Sequence, residues 1–176
     1  MIIVEGMDNS GKTKLTEHLA ERFKLPHIKS PKDRTHLLND ALTTLMLNPE
    51  AVLDRFSAIS EAIYGPILRG GTAFDKYVSQ WKFFMDKLVR CKPLIFYCRP
   101  PEKQIFAYGD RKQMAGVVEH KEELLSAYDT MMSSWAGRLL IMKYDFTLPN
   151  ARSFADYAVE VYLAKKRMDR YEHTGC

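Results

Sequence analysis

Gly6-Met7-Asp8-Asn9-Ser10-Gly11-Lys12-Thr13 follows the apolar run Met1-Ile2-Ile3-Val4 and precedes a helical pattern. This is the P-loop form G-x-x-x-x-G-K-[ST] in the context it requires, a strand before it and a helix after it. The chemistry it implies is the gripping of a nucleoside triphosphate by its phosphates. Gly6 and Gly11 let the backbone curl so that successive N–H groups point inward. A helix starting near Lys12 adds the partial positive charge of its N-terminus. Lys12 is expected to face solvent and reach the β- and γ-phosphates, and the Thr13 hydroxyl to ligate Mg²⁺. The expected contacts to the triphosphate are Gly6, Asn9, Ser10, Gly11, Lys12, Thr13 and Lys14.

Outward from this loop the chain alternates short apolar runs with helical patterns. Residues 12–24 carry Leu15, Leu19 and Phe23 on one face. Pro26 ends that helix, and His27-Ile28-Lys29 reads as a short strand. Residues 33–46 read as helix, stopped by Asn48-Pro49. Ala51-Val52-Leu53 reads as a buried strand leading into Asp54-Arg55. Residues 57–69 read as helix that Gly65-Pro66 should kink or break. Residues 73–90 hold Phe74, Tyr77, Trp81, Phe84 and Leu88, an apolar stripe at helical period that could face a partner subunit. Pro93 to Cys98 is another buried strand, and Pro100-Pro101 opens a helix. A helix over 118–135, a strand over 139–142 and a helix over 151–168 complete the chain.

Strands alternating with helices predict an α/β fold: a three-layer P-loop NTPase architecture with a parallel sheet flanked by helices. The 176 residues form one domain, 1–176, with a polar, basic lid loop at about 108–116. In such sheets ligands bind at the carboxyl ends of the strands. Gly6, Asp54, Arg99 and Tyr144 are expected there, on one rim.

Composition narrows the partners. The formal charge of +4 suits anionic small molecules and gives no strong basic face for nucleic acid. No apolar stretch approaches the roughly 20 residues of a membrane span. Glu5 follows the first strand too closely for a signal peptide. Cytoplasmic residence is the expectation. Cys91, Cys98 and Cys176 form no C-x-x-C pair, so reduced thiols are expected. His18, His27, His36, His120 and His173 lack metal-ligand spacing. Lys165-Lys166-Arg167 reads as a solvated helix end.

Asp54-Arg55 closes an apolar strand on the P-loop rim. Arg55 is a natural phosphate clamp, because guanidinium matches phosphate oxygens in a bidentate way. Asp54 either orients Arg55 or holds Mg²⁺.

The stretch Val4-Glu5-Gly6-Met7-Asp8-Asn9-Ser10-Gly11-Lys12-Thr13, followed after a strand by Leu53-Asp54-Arg55-Phe56, resembles thymidylate kinases, which are P-loop nucleoside monophosphate kinases. Residues 53–70 are similar to the small thymidylate-kinase-like proteins of bacteriophages; for a viral chain the compartment would be the host cytoplasm. The resemblance implies ATP as phosphoryl donor with Mg²⁺, and transfer to dTMP or a related deoxynucleotide. It implies that Asp8 contacts the sugar 3′-hydroxyl and that Arg55 contacts acceptor and donor phosphates. Arg69 is, by residue type, the candidate for the arginine that helps bind the acceptor base. Asn9 stands where some members carry an arginine, so the lid should supply that cation, with Arg111 and Lys112 in the right stretch. Catalysis is thereby assigned to Lys12, Arg55 and Arg111. The acceptor half holds Phe56, Tyr64, Phe74, Tyr77 and Trp81; Tyr64, beside Gly65-Pro66, is the first candidate to stack on a base, with Trp81 also placed there. A homodimer is implied as well.

Two other readings stay open. A deoxynucleoside kinase would need a carboxylate base, Glu5 or Asp54, for its hydroxyl acceptor. A P-loop protein that binds nucleotide without catalysis would explain Lys12 and Thr13 only.

Overall fold

The computed structural model describes residues 1–30, 37–72, 78–108 and 113–174. Five strands form one parallel sheet: β1 (Ile2–Glu5), β2 (His27–Lys29), β3 (Val52–Asp54), β4 (Leu94–Cys98) and β5 (Leu140–Tyr144). Their spatial order is β2-β3-β1-β4-β5. The chain leaves β1 for one side of the sheet and later crosses to the other. The loop after β1 therefore opens at the point where the strand order reverses, a crevice that helices on neither side can fill.

The helices are α1 (Lys12–Phe23), α2 (Leu37–Leu47), α3 (Ser57–Arg69), α4 (Val78–Cys91), the single turn α5 (Glu102–Ile105), α6 (Lys121–Trp135) and α7 (Ala151–Thr174). Strand residues alternate between two cores, as period-2 geometry demands. Ile2, Val4, Val52, Leu94, Phe96 and Tyr144 pack with α1 and α7. Ile3, Leu53, Ile95 and Tyr97 pack with α2, α3, α4 and α6. The result is the three-layer α/β fold. Polar pairs tie the outer layer together: His18 meets Asp156 at 2.8 Å and Arg22 meets Glu160 at 3.3 Å, clamping α1 to α7.

Several details differ from the sequence reading, among them the last helix, expected over 151–168, which runs Ala151–Thr174. α3 runs unbroken through Pro66. Its buried face, Ile59, Ile63 and Tyr64, is fixed by the core, and tertiary packing outweighs the single backbone bond that proline forfeits. The helix closes one turn later at Gly70, left-handed at φ 70, whose N–H donates to the Pro66 carbonyl at 3.1 Å. The helix expected from 118 begins at Lys121, and the last strand runs on to Tyr144.

The apolar stripe of α4 is spent inside the chain from Trp81 onward. Phe84 and Leu88 are fully buried, Trp81 stacks on Phe84 at 5.3 Å, and Phe84 meets Phe56 at 5.5 Å. Phe74 and Tyr77 lie outside the described residues. Among the described residues no helix is long and apolar enough to cross a membrane. Cys91 and Cys98 are free thiols.

Candidate active site

A cavity of about 900 Å³ opens at the carboxyl ends of the strands. Asp8, Asn9, Gly11, Lys12, Thr13 and Lys14 form its floor, and Asp54 and Arg55 one wall. Its size lies at the upper end for small-ligand sites.

The loop is shaped by its glycines. Gly11 has φ 86, and a Cβ there would stand 2.7 Å from the Phe146 ring. Gly6 has φ 145, and a Cβ would stand 2.5 Å from the Cys98 carbonyl oxygen. Both positions exclude any side chain.

Lys12 departs from expectation. It does not face solvent: only 6% is exposed, and Nζ donates to the Met7 carbonyl at 2.5 Å. The loop curls around the ammonium and supplies the partner that a phosphate would otherwise offer. Burial pulls its pKa down from 10.5 to about 8, helped by the neighbouring Arg55 guanidinium. In the free protein, therefore, the charge needed to attract phosphate is lost as pH rises through about 8. The kcat/KM for the triphosphate, which reports free-enzyme ionisations, should fall on its alkaline side near that pH. A pH–rate profile flat to about pH 9.5 would remove Lys12 from that role.

Asp54 does not orient Arg55. Its Oδ2 accepts from the Thr13 hydroxyl at 3.0 Å. Arg55 instead pairs with Asp8 across the cavity mouth, and the Tyr64 hydroxyl donates to the other Asp8 oxygen at 3.4 Å. The Arg55 guanidinium lies over the Tyr64 ring at 5.7 Å. Burial disfavours the Arg55 charge, but Asp8 together with Tyr128, Tyr64 and Glu5 outweighs it and raises the pKa, so the cation is permanent. Arg55 adopts a left-handed backbone, φ 68, and its N–H donates to the Val4 carbonyl at 3.0 Å. A non-glycine residue held there is the mark of a constrained site.

Beneath this pair lies Glu5, fully buried. Its carboxylate accepts from the Phe56 N–H at 2.5 Å, the Gly6 N–H at 3.2 Å, the Ser60 hydroxyl at 3.3 Å and the Tyr128 hydroxyl at 3.3 Å. Burial raises its pKa, while Arg55 and these N–H groups pull it back. Glu5 thus sews the phosphate loop to the Arg55-Phe56 segment and to α3 and α6.

The remaining expected residues are dispersed. The Asn9 amide turns away from the cavity and donates to the carbonyls of Gln104 at 2.6 Å and Ala107 at 3.0 Å. Ser10 is buried beneath the loop, and its hydroxyl accepts from Lys12 at 3.5 Å. Lys14 lines the cavity. Arg69 pairs with the buried Glu61 at 2.5 Å, and neither it nor Trp81 lines the cavity. Arg99 follows its strand on the rim, but Nε donates to both Asp129 oxygens at 3.1 Å and the side chain borders a separate hollow with Glu102 and Ser126. Arg111 and Lys112 lie outside the described residues.

The sequence reading missed the opposite wall: Phe146, Leu148 and Pro149 from the β5–α7 connection and Arg152 from the first turn of α7. The signal was positional, since this loop follows a strand on the same rim as the P-loop. Asp145 shapes it by accepting from the Thr147 N–H at 2.9 Å and hydroxyl at 2.7 Å.

Fold and loop together define a three-layer α/β architecture with a P-loop at the reversal of strand order. The sequence matches no family profile and no curated protein. Solved structures do share the fold. The YorR protein of Bacillus subtilis, in complex with phosphorylated GDP, is 18% identical at a TM-score of 0.73, covering 94% of this chain and 97% of that one. Deoxyadenosine kinase from M. mycoides with bound dCTP is 13% identical at 0.62, covering 92% and 100%. Shikimate kinase from Acinetobacter baumannii, in complex with shikimate, is 14% identical at 0.53, covering 94% and 93%.

Proposed function

We propose that this chain transfers the γ-phosphoryl group of ATP to the phosphate of a deoxynucleoside monophosphate, dTMP or a close relative. The observation that carries the reading is Arg55: a half-buried, permanent cation, paired with Asp8 and facing the same cavity as the Lys12 loop. Phosphoryl transfer asks the protein for positioning and charge rather than for covalent chemistry. Two cations of different origin on one space meet that demand.

The donor phosphates lie on the loop amides and the N-terminus of α1, with Lys12 exchanging the Met7 carbonyl for phosphate oxygen. Phe146, Leu148 and Pro149 offer the donor base an apolar face, with Arg152 beside it. The hydroxyl of Thr13 and the carboxylate of Asp54, 3.0 Å apart and both lining the cavity, are an oxygen set suited to Mg²⁺. That ion, when bound, neutralises charge on the transferring group. Arg55 holds the acceptor phosphate, and Arg111 is the third cation in this reading.

A monophosphate fits the carboxylates better than a nucleoside does. An ionised phosphate needs no general base, whereas a hydroxyl acceptor does. Glu5, Asp8 and Asp54 all accept hydrogen bonds already, Glu5 from four donors within the protein.

The test is a coupled ADP-release assay over all deoxynucleoside monophosphates and the corresponding nucleosides. Turnover of at least one monophosphate is expected. Turnover of thymidine or another nucleoside with none of the monophosphates would replace this reading by a nucleoside kinase. ATP binding with no acceptor-dependent ADP would leave a phosphate-binding protein.

A further inference from the structure

β5 ends the sheet order on one side and β2 on the other. An edge strand presents a row of unpaired N–H and C=O groups, which proteins blunt with short strands and charges. β2 is blunted in both ways, with three residues and exposed His27 and Lys29. β5 is not: its five residues carry one charge, and Leu140 at its start is 52% exposed. Leu140, Met142 and Tyr144 stand in register with Leu94, Phe96 and Cys98, so they share the face that α7 covers. Lys143 points to the opposite face.

α7 has an open stripe of its own. Ala155, Ala158, Val159 and Tyr162 pack on the sheet, and Asp156 and Glu160 reach across to α1. Phe154, Tyr157, Val161 and Met168 do neither: they are 45% to 67% exposed, and Ala164 between them is exposed as well. Their spacing of three, four, three and four is the seam of a helix that packs against another helix. Tyr157 and Val161 follow the two residues that meet α1 by one position, about 100° round the helix. The stripe therefore faces away from both α1 and the sheet, on the side of the open β5 edge. The stripe over 73–90, where the sequence suggests a partner, belongs to the core from Trp81 onward and to the other layer.

We propose that the β5 edge and the α7 stripe form one interface with a second copy of this chain, β5 pairing antiparallel with β5 and α7 packing against α7. A two-fold axis beside Met142 sets Leu140 opposite the partner's Tyr144 and Lys143 opposite the partner's Ile141, so no like charges meet across the strands. The same axis brings the helices together. α7 lies over β4 and β5, so its copy falls about two strand spacings away, roughly 10 Å, the distance at which helices interdigitate. One symmetry operation thus satisfies an open strand and an open helix face. The exposed parts of Leu140, Phe154, Tyr157, Val161 and Met168 amount to on the order of 500 Å². A stable dimer needs roughly 800 Å² from each partner, and the strand backbone and flanking side chains supply the remainder.

Sedimentation equilibrium of the full chain should give twice the 20.4 kDa of one copy, half-dissociating at or below about 10 µM. Val161→Glu sets two carboxylates into the shared seam and should weaken the dimer at least about 100-fold. Phe83→Glu, at an exposed position of α4 in the other layer, should leave it intact. Met142→Cys, combined with Cys91→Ser and Cys176→Ser, tests the strand pairing. Directly opposed residues of antiparallel strands lie within disulfide reach, so mild oxidation should link two copies. A wild-type monomer at about 100 µM would overturn the proposal and leave the face to a strand of another protein. So would a dimer that survives Val161→Glu, or one that the Met142→Cys thiols do not link. All of these outcomes are independent of which acceptor the active site takes.

Discussion

Lys12→Met should cut phosphoryl transfer by on the order of 10³-fold and, in the ligand-free protein, raise the melting temperature. Both effects come from one ammonium. It is nearly enclosed, its partners are the Met7 carbonyl and the Ser10 hydroxyl, and burial depresses its pKa from 10.5 to about 8. A shift of that size corresponds to about 3 kcal/mol of penalty for keeping the charge. Methionine removes the penalty but strands the Met7 carbonyl, at a cost of about 1 kcal/mol. A net gain of about 2 kcal/mol should remain. The sign has a pH signature. Below about 8 the folded state carries the full penalty; between 8 and 10.5 the folded lysine sheds its proton while the unfolded one keeps it. Wild-type stability therefore gains on the variant's across that window. Denaturant titrations of both proteins at neutral and alkaline pH measure it. A variant less stable than wild type at neutral pH would mean the ammonium is a structural tie. Retained activity would remove it from the transfer step.

Arg55→Ala should lower kcat/KM for the acceptor by about 10²- to 10³-fold, the loss expected when a positioned charge donor is taken from the transition state. The guanidinium also neutralises Asp8 and covers the Tyr64 ring, so its removal leaves a partly buried carboxylate with Tyr64 alone. Arg55→Gly is the informative companion. The backbone at φ 68 is one that glycine adopts freely and alanine does not. The glycine variant should be more stable than the alanine variant by about 1 kcal/mol, with the same kinetic defect. Steady-state kinetics with thermal melts of the pair separate charge from backbone. A merely twofold rate loss would make Arg55 part of the scaffold.

The β1–loop–α1 unit, the parallel sheet and the single rim of polar residues were legible because each is local. Eight residues with two obligatory glycines, a lysine and a threonine fix their own backbone and the chemistry it serves. Strand-sized apolar runs between helical stripes leave little choice of layer order. Pro66 was misjudged because helix propensity is a weak local preference, and the core contacts of Ile63 and Tyr64 outweigh it.

Pairing across the chain was decided only by tertiary structure. The sequence placed Asp8 and Arg55 in the same cleft but left open whether Asp54 orients Arg55 or holds Mg²⁺. The fold joins Arg55 to Asp8, 47 residues away, and gives Asp54 to Thr13. A left-handed backbone at Arg55 turns its side chain from its own strand's end toward the loop of the next strand. Burial is equally non-local. Lys12 reads as an exposed cation until the loop closes over it, and Tyr108 reads as one more loop aromatic until packing strips its hydroxyl of water. Which groups meet, and which are stripped of water, depends on distances that spacing along a chain does not encode.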